Sequence, residues 1–473
     1  MISNPLEIVS EYFRFPFTAH EFQDDVIIEQ APLNSSGVYM DVGTGKTFVS
    51  TAIALFKGIV EDIDHVIVIM PPVLITAWSM WIDEVEVIPG GKLSQCVYRG
   101  SPDERKAMDL NADFILMSTN IFRNDFKRID SFFKGKKAFV IVDEATSVRN
   151  VKTKTHRRFK QFVTTAKHQF TLLTGTAISS PGHCYGYIRL LAPGVYRSEK
   201  HFDSIHVAER DFFDQVIAWQ NLDLLSENFM LNSVRVLADD VLELPETVYD
   251  VTPYELDDKH NKLYKQLADE RLLLLPDGSK IDATQAQSLY NDLQRIVLNP
   301  EEYMGEPHRP AGYDIMDSML EELGSDKLIA FNNYRMSNRR VTAYLLSKGY
   351  DAVACYGEVS RKKQEVNLQR FLHDPKCQVL VASPRSIGVG LNLQKACRCM
   401  LFLELPVTPE HFNQCVGRIR RDGQTRKILI KIAIALKTIQ VMLQHRLVSK
   451  DELVQTVSPS KVKLKKLIFG ESA

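Results

Sequence analysis

Two parallel-sheet α/β lobes joined by helical material are the fold class that this sequence predicts. Short apolar runs rich in β-branched residues recur along it, they fall into two groups, and a stretch with helical spacing separates the groups. The first group is GVYM (37–40), HVIVIM (65–70), DFILMS (113–118), AFVIVD (138–143) and QFTLLTG (169–175). The second is KLIAFNN (327–333), AVACYG (352–357), QVLVAS (378–383), MLFLEL (400–405) and ILIKIAIA (428–435). Runs this short, without polar alternation, fit strands covered by helices on both faces.

Between the groups, DFFDQVIAWQNLDLLSENF (211–229), HNKLYKQLADERLLLL (260–275) and AQSLYNDLQRIVL (286–298) space their apolar residues as helices do. LPDGSK (275–280) and NPEEYMGEPHRPAGYD (299–314) carry turn and loop signals. The expected organisation is a first lobe over 1–181, mainly helical insertions and a linker over 182–325, a second lobe over 326–436, and a C-terminal helix with a basic tail over 437–473. The tail pairs the amphipathic TIQVMLQHRLVSKDELVQTV with KVKLKKL (461–467).

The 473 residues are 45% hydrophobic and 25% charged, which excludes a fibrous or disordered chain. Lys and Arg number 58 against 59 Asp and Glu, a net charge of −1, so a polyanion must be held by a local basic face. The seven cysteines, 96, 184, 355, 377, 397, 399 and 415, include no CxxC pair, which disfavours a disulfide framework or a zinc ribbon. The N-terminal residues do not read as a secretory signal, and no apolar run reaches the ~20 residues that span a bilayer. A soluble intracellular protein is expected, without membrane association.

GVYMDVGTGKTFVSTAIALF (37–56) orders strand, glycine turn and helix as a nucleotide-binding P-loop requires. Gly43 and Gly45 let backbone N–H groups approach phosphate, and the helix directs its positive end at the same anion. Lys46 is the candidate for the β- and γ-phosphates and Thr47 for Mg²⁺. The longer pattern would place glycine at position 40, which is Met40, so the match is to the shorter GxGKT form.

AFVIVDEATSVRN (138–150) ends a strand in two acids. Such a pair is common on surfaces, but beside a P-loop it gains a chemical reading: Asp143 binds Mg²⁺ and Glu144 polarises the attacking water. QCVGRIRRDGQ (414–424) presents Arg418, Arg420 and Arg421. A planar guanidinium matches the charge that grows on a transferring phosphoryl group better than an ammonium does. A solvated basic helix face is the alternative.

GxGKT (43–47), DEAT (143–146), LTGTA (173–177), GVGLNLQKA (388–396) and QxxGRxxRxGQ (414–424) occur in the order found in superfamily 2 helicases. With GLNLQ and the closing GQ, the set most resembles the SWI/SNF-type ATPases. AHEFQ (19–23) resembles that family's glutamine motif, VIVIMPPVLITAWSMWIDEV (66–85) its motif Ia, ILMSTNIF (115–122) its motif Ib, and LELPE (242–246) its leucine-proline segment. Residues 327–371 resemble the opening of its second motor lobe.

The resemblance implies two RecA-like lobes with helical insertions and a C-terminal helical segment. It further implies ATP and Mg²⁺ as cofactors, and nucleic acid, most consistently double-stranded DNA, as partner. It makes Gln23 an adenine contact; Gly43, Thr44, Gly45, Lys46 and Thr47 the phosphate and metal cradle; Asp143 and Glu144 metal ligand and base; and Arg418 and Arg421 the paired arginines of motif VI. Gln414 is expected in the nucleotide cleft. Gly388, Gly390 and Asn392 would form the motif V loop, which meets both nucleotide and DNA. Thr119, Thr174 and Ser383 are the candidates for contacting the nucleic acid backbone or coupling to it. Thr146, Ala177, Pro384 and Ile387 depart from the family pattern without touching the phosphate-handling positions.

The expected function is DNA-dependent ATP hydrolysis coupled to movement along duplex DNA, remodelling protein–DNA complexes or branched DNA. The basic run KTKTHRRFK (152–160) suits backbone contacts that ignore sequence, and suits a solvated surface equally. Two alternatives stand beside it: a superfamily 2 helicase that unwinds DNA or RNA, and a nucleotide-switched motor subunit that needs a protein partner. Economy of length points to the cytoplasm of a bacterium or of a virus-infected cell, and otherwise to a nucleus.

Overall fold

The computed structural model describes residues 4–212, 214–270, 272–274, 280–282, 286–384, 386 and 393–457. The chain divides into two compact units between Leu242 and Glu243, inside the 182–325 stretch that the sequence sets apart from both lobes.

The first unit is built on a seven-stranded sheet in the order Ser233–Val236, Ser35–Met40, Gln169–Leu173, Ala138–Asp143, His65–Met70, Phe114–Ser118, Gln95–Tyr98. Every pairing in it is parallel. His65–Met70 and Ala138–Asp143 are buried at every position, as two-faced helical cover demands. One face carries an aromatic core in which Phe122, Phe126, Phe133, Phe159 and Phe162 meet edge to face. Helix Cys184–Leu191 comes so close to the loop before helix Lys154–Thr165 that a Cβ on Gly186 would lie 1.7 Å from the Arg149 carbonyl oxygen.

The second unit carries a six-stranded, all-parallel sheet in the order Thr247–Tyr254, Ile428–Ala435, Cys399–Phe402, Leu328–Phe331, Val379–Ala382, Ala352–Cys355. Its apolar runs fill the cores on both faces. Two parallel-sheet α/β lobes of RecA-like type are therefore the architecture, with helical insertions and the closing helix Ile439–Val457.

Several local expectations change. Within 211–229 the helix is confined to Leu222–Met230; Val216–Trp219 is a strand paired antiparallel with Val207–Arg210. The β-branched Val216 and Ile217, after a turn in which Asp214 has φ 61°, favour that hairpin over a continued helix. The helix expected over 260–275 spans Asp258–Glu270, and Leu272–Leu274 pairs with Lys280–Asp282. The 299–314 loop contains a helical turn, Pro300–Met304, closed by Gly305 at φ 72°. Ser233–Val236 joins the first sheet and Thr247–Tyr254 the second, because parallel neighbours offer each an edge that the chain order does not reveal. All seven cysteines are free, and all but Cys96 are buried.

Candidate nucleotide site

The P-loop follows strand Ser35–Met40 and enters helix Lys46–Glu61. Gly43 and Gly45 adopt φ 89° and 90°, the left-handed region where a side chain is strained. A Cβ on Gly45 would also lie 2.2 Å from the Gln23 amide nitrogen. That amide donates to the Thr44 carbonyl at 2.9 Å, and the Gln23 carbonyl accepts from the His20 N–H at 3.0 Å. Gln23 thus ties the start of helix Glu21–Gln30 to the phosphate loop. Thr44 is turned inward, its hydroxyl donating to the Asp41 carbonyl at 2.8 Å, so its contribution to a cradle is its backbone.

Lys46 reaches back over the strand end and donates to the carbonyls of Met40 and Asp41 at 2.8 and 2.9 Å. Thr47, next to it, is half-buried in the first turn of the helix. Gly175, just beyond the neighbouring strand Gln169–Leu173, faces this ammonium: a Cβ there would lie 3.6 Å from the Lys46 Nζ.

Asp143 stands at the end of the next strand, buried, with Oδ2 accepting from the Trp78 indole at 2.9 Å and Oδ1 from the Glu144 N–H at 2.9 Å. Burial raises the Asp143 carboxyl above the usual range, while the Trp78 bond and the Lys46 charge oppose that shift. Glu144 is buried at φ 50°, a left-handed conformation costly for a non-glycine residue and frequent at functional sites. Asp41, pushed up by its own burial, accepts from the Ala238 N–H at 3.1 Å and anchors the loop from the far side. A Mg²⁺-nucleotide fits this set: left-handed glycines, an ammonium at a helix start, and a buried carboxylate within electrostatic reach of it. The sequence assigns no individual role to Trp78, Asp41 or Gly175. For Trp78 the available signal was a tryptophan inside the motif Ia stretch.

Thr119 is half-buried and donates to the Met70 carbonyl at 3.3 Å. Thr174 is fully buried and its hydroxyl accepts from the Thr176 N–H at 3.1 Å. That bond lies within the turn that carries Gly175.

In the second unit, Arg418 is buried and Arg421 half-buried after helix Pro409–Val416, which carries half-buried Gln414. Burial and the charge of Arg418 lower the Arg421 guanidinium to about 10, still protonated at neutral pH. Arg420 donates to the Thr247 hydroxyl at 3.1 Å, a contact internal to this unit. The closing Gln424 is structural: its amide donates to the carbonyls of Gln394 and Cys397 at 3.0 Å each, and the Gln394 amide returns a bond to the Asp422 carbonyl at 3.1 Å. Ser383 donates to the Ser386 hydroxyl at 2.7 Å. Gly388, Gly390 and Asn392, and the basic stretch 461–467, lie outside the described residues.

Comparison with known families accounts for both units. The SNF2-related domain matches residues 33–302, more than half of the chain, and the helicase conserved C-terminal domain matches residues 312–423. The chain belongs to the SNF2-related family. It is a helicase-like ATPase of that family, and membership supports ATP hydrolysis and nucleotide binding, typically with Mg²⁺. This SNF2-related chain is 24% identical over 441 residues to the chromodomain-helicase-DNA-binding protein 1-like of Danio rerio, covering 88% of itself and 41% of that protein. It is 22% identical over 452 residues to the uncharacterized ATP-dependent helicase YqhH of Bacillus subtilis, covering 90% of itself and 76% of that protein. Among solved structures, the Sulfolobus solfataricus SWI2/SNF2 ATPase core in complex with dsDNA aligns with 96% of this chain and 97% of that one, at 18% identity and a TM-score of 0.42. No helix among the described residues is long and apolar enough to cross a membrane.

Proposed function

We propose that this SNF2-related ATPase couples ATP hydrolysis to movement along double-stranded DNA, and that it remodels protein–DNA complexes or branched DNA. The observation that carries the reading is the first unit's cradle, in which left-handed Gly43 and Gly45 lead into helix Lys46–Glu61 and the Lys46 ammonium is held over the strand end by the Met40 and Asp41 carbonyls. Its occurrence in a chain matched by both family domains supports a motor rather than a simple nucleotide binder. The name of a relative, a chromodomain-helicase-DNA-binding protein, supports DNA as the track.

Lys46 holds the β- and γ-phosphates, and Thr47 and Asp143 hold Mg²⁺ with backbone N–H groups of Gly43 to Gly45 around the phosphates. Gln23 orients the loop and contacts adenine, with Gln414 and Gly390 completing the nucleotide contacts. Bound Mg²⁺ supplies positive charge against the phosphoryl oxygens. Glu144 orients and deprotonates the attacking water. Arg418 and Arg421 stabilise charge that develops only as the phosphoryl group transfers. Thr119, Ser383 and Asn392 take the nucleic acid backbone, while Thr174 couples through its turn. The proposed organisation has 1–181 as the ATP-binding lobe, 182–325 as insertions and linker that also lend strand Ser233–Val236 to the first sheet and Thr247–Tyr254 to the second, 326–436 as the second lobe and 437–473 as a terminal helix and tail.

The deciding experiment measures ATP turnover with duplex, forked and single-stranded DNA and with RNA. Duplex DNA is expected to stimulate turnover severalfold, and Lys46→Ala to remove it in every arm. Turnover indifferent to all four polynucleotides would overturn the motor reading. Stimulation by RNA or forks alone, with strand separation, would support the unwinding helicase in its place.

A further inference from the structure

Helix Asp258–Glu270 and the loop that carries His308 bring together three side chains that no nucleotide or DNA role uses. Asp257 precedes the helix, and its Oδ1 accepts from the His260 N–H at 3.0 Å. Its Oδ2 is 2.7 Å from the Nε2 of His308. His260 is fully buried, with its ring 5.7 Å from that of His308.

The state of the His260 ring is what asks for an explanation. Its Nε2 lies 2.8 Å from the Ile296 carbonyl and must donate to it, because a carbonyl oxygen only accepts. In the neutral ring this leaves Nδ1 as a lone pair, and Nδ1 is buried without a hydrogen-bond partner among the described residues. Buried nitrogens are seldom left so, since the lost hydration is uncompensated. A backbone carbonyl on one ring nitrogen and an open lone pair on the other is how metal-ligating histidines are held.

We propose that Asp257, His260 and His308 bind a divalent first-row transition metal, with zinc the best match to two imidazoles and one carboxylate. One ligand atom from each residue lies within 4.8 Å of the others. Ligands on a tetrahedral zinc stand roughly 3.3 Å apart, so modest rotation of the half-buried His308 and the exposed Asp257 side chains seats the ion. The ion replaces the proton shared by His308 Nε2 and Asp257 Oδ2, which leaves to solvent.

Water fills the fourth position, and access is at hand. His308 also lines a cleft of about 470 Å³ with Glu301, Arg309 and Tyr313. The charges beside the site are already paired, Arg309 with Asp314 and Asp317, and Lys259 with Glu306. Asp257 and His260 fall within the SNF2-related match, and His308 lies between its end at 302 and the start of the C-terminal match at 312. The metal would therefore staple the end of the one region to the segment that leads into the other.

The test uses the full chain stripped with EDTA, titrated with Zn²⁺ by calorimetry and with Co²⁺ by visible spectroscopy. One equivalent is expected to bind, with nitrogen-ligated Co²⁺ bands and a higher Tm. His308→Asn and Asp257→Asn should each weaken binding by roughly tenfold to hundredfold and remove the Tm rise, while metal-free ATP turnover stays at the wild-type level. His373→Asn, on a surface of the same unit, should change nothing. Absence of stoichiometric binding to the stripped wild-type protein would overturn the proposal, as would binding untouched by both ligand substitutions.

Discussion

Trp78 gives Asp143 one of its two hydrogen bonds, and the other comes from the backbone of Glu144. A buried carboxylate with a single fixed donor on each oxygen is oriented by those donors, and removing one leaves the charge less supported. Trp78→Phe keeps the aromatic packing and deletes the N–H. Its expected effect is a loss of roughly tenfold to hundredfold in the Mg²⁺ affinity read from ATP turnover against Mg²⁺ concentration. An unchanged Mg²⁺ dependence would show that Trp78 only packs. Arg421 poses a sharper question, because its guanidinium stays charged despite burial beside Arg418. Arg421→Ala should lower kcat on the order of 10³-fold while ATP affinity, followed with a fluorescent analogue, changes only a few-fold. Equal losses in both would deny it a role confined to the transition state.

Among the elements, strand Gln169–Leu173 enters the first sheet directly after His168, whose ring packs 4.6 Å from Phe162 and 6.3 Å from Phe133. Neither ring nitrogen has a hydrogen-bond partner among the described residues, and burial lowers this imidazole to about 4. His183, lowered to about 4 by burial and by Arg149, behaves likewise. Between these values and an ordinary imidazole near 6.5, the unfolded chain binds more protons than the folded one. Stability is therefore full above that window and falls as pH drops through it. His168→Phe removes one of the two groups and both orphaned nitrogens. It should raise stability at neutral pH by about 1 kcal/mol and flatten part of the acid loss. Thermal unfolding at about pH 5 and about pH 7 checks both; an unchanged pH dependence would contradict the burial argument. Two short hairpins outside that sheet decide the least legible elements of 182–325. Val216–Trp219 and Leu272–Leu274 carry apolar residues compatible with either period, and hairpin partners decided them.

For the whole molecule, the ordered motifs of a helicase-like SNF2-related ATPase are divided between two compact units. GxGKT, Asp143 and Glu144 belong to the first and Arg418 and Arg421 to the second. Each unit supports its own part with internal bonds. Gln23 holds the phosphate loop, and the reciprocal Gln394 and Gln424 amides brace the turn beside the arginines. On the proposed reading, stimulation by duplex DNA requires the complete chain, since both units carry residues proposed to meet ATP. Turnover measured on either unit alone is accordingly expected to lose that stimulation.

The strand, turn and helix of the P-loop, the acids that end Ala138–Asp143, and the arginines of 418–421 were legible from the amino-acid order. Each is a short stretch whose backbone chemistry is local: glycine permits positive φ, and an apolar run buries itself between helices. Folding alone decided that Trp78 would serve Asp143, that the Thr174 hydroxyl would be buried in a turn, and that Asp257 and His260 would meet His308. Those pairings join residues far apart along the chain. They depend on which strands become neighbours and which side chains lose water together, and neither is written in any one stretch of sequence.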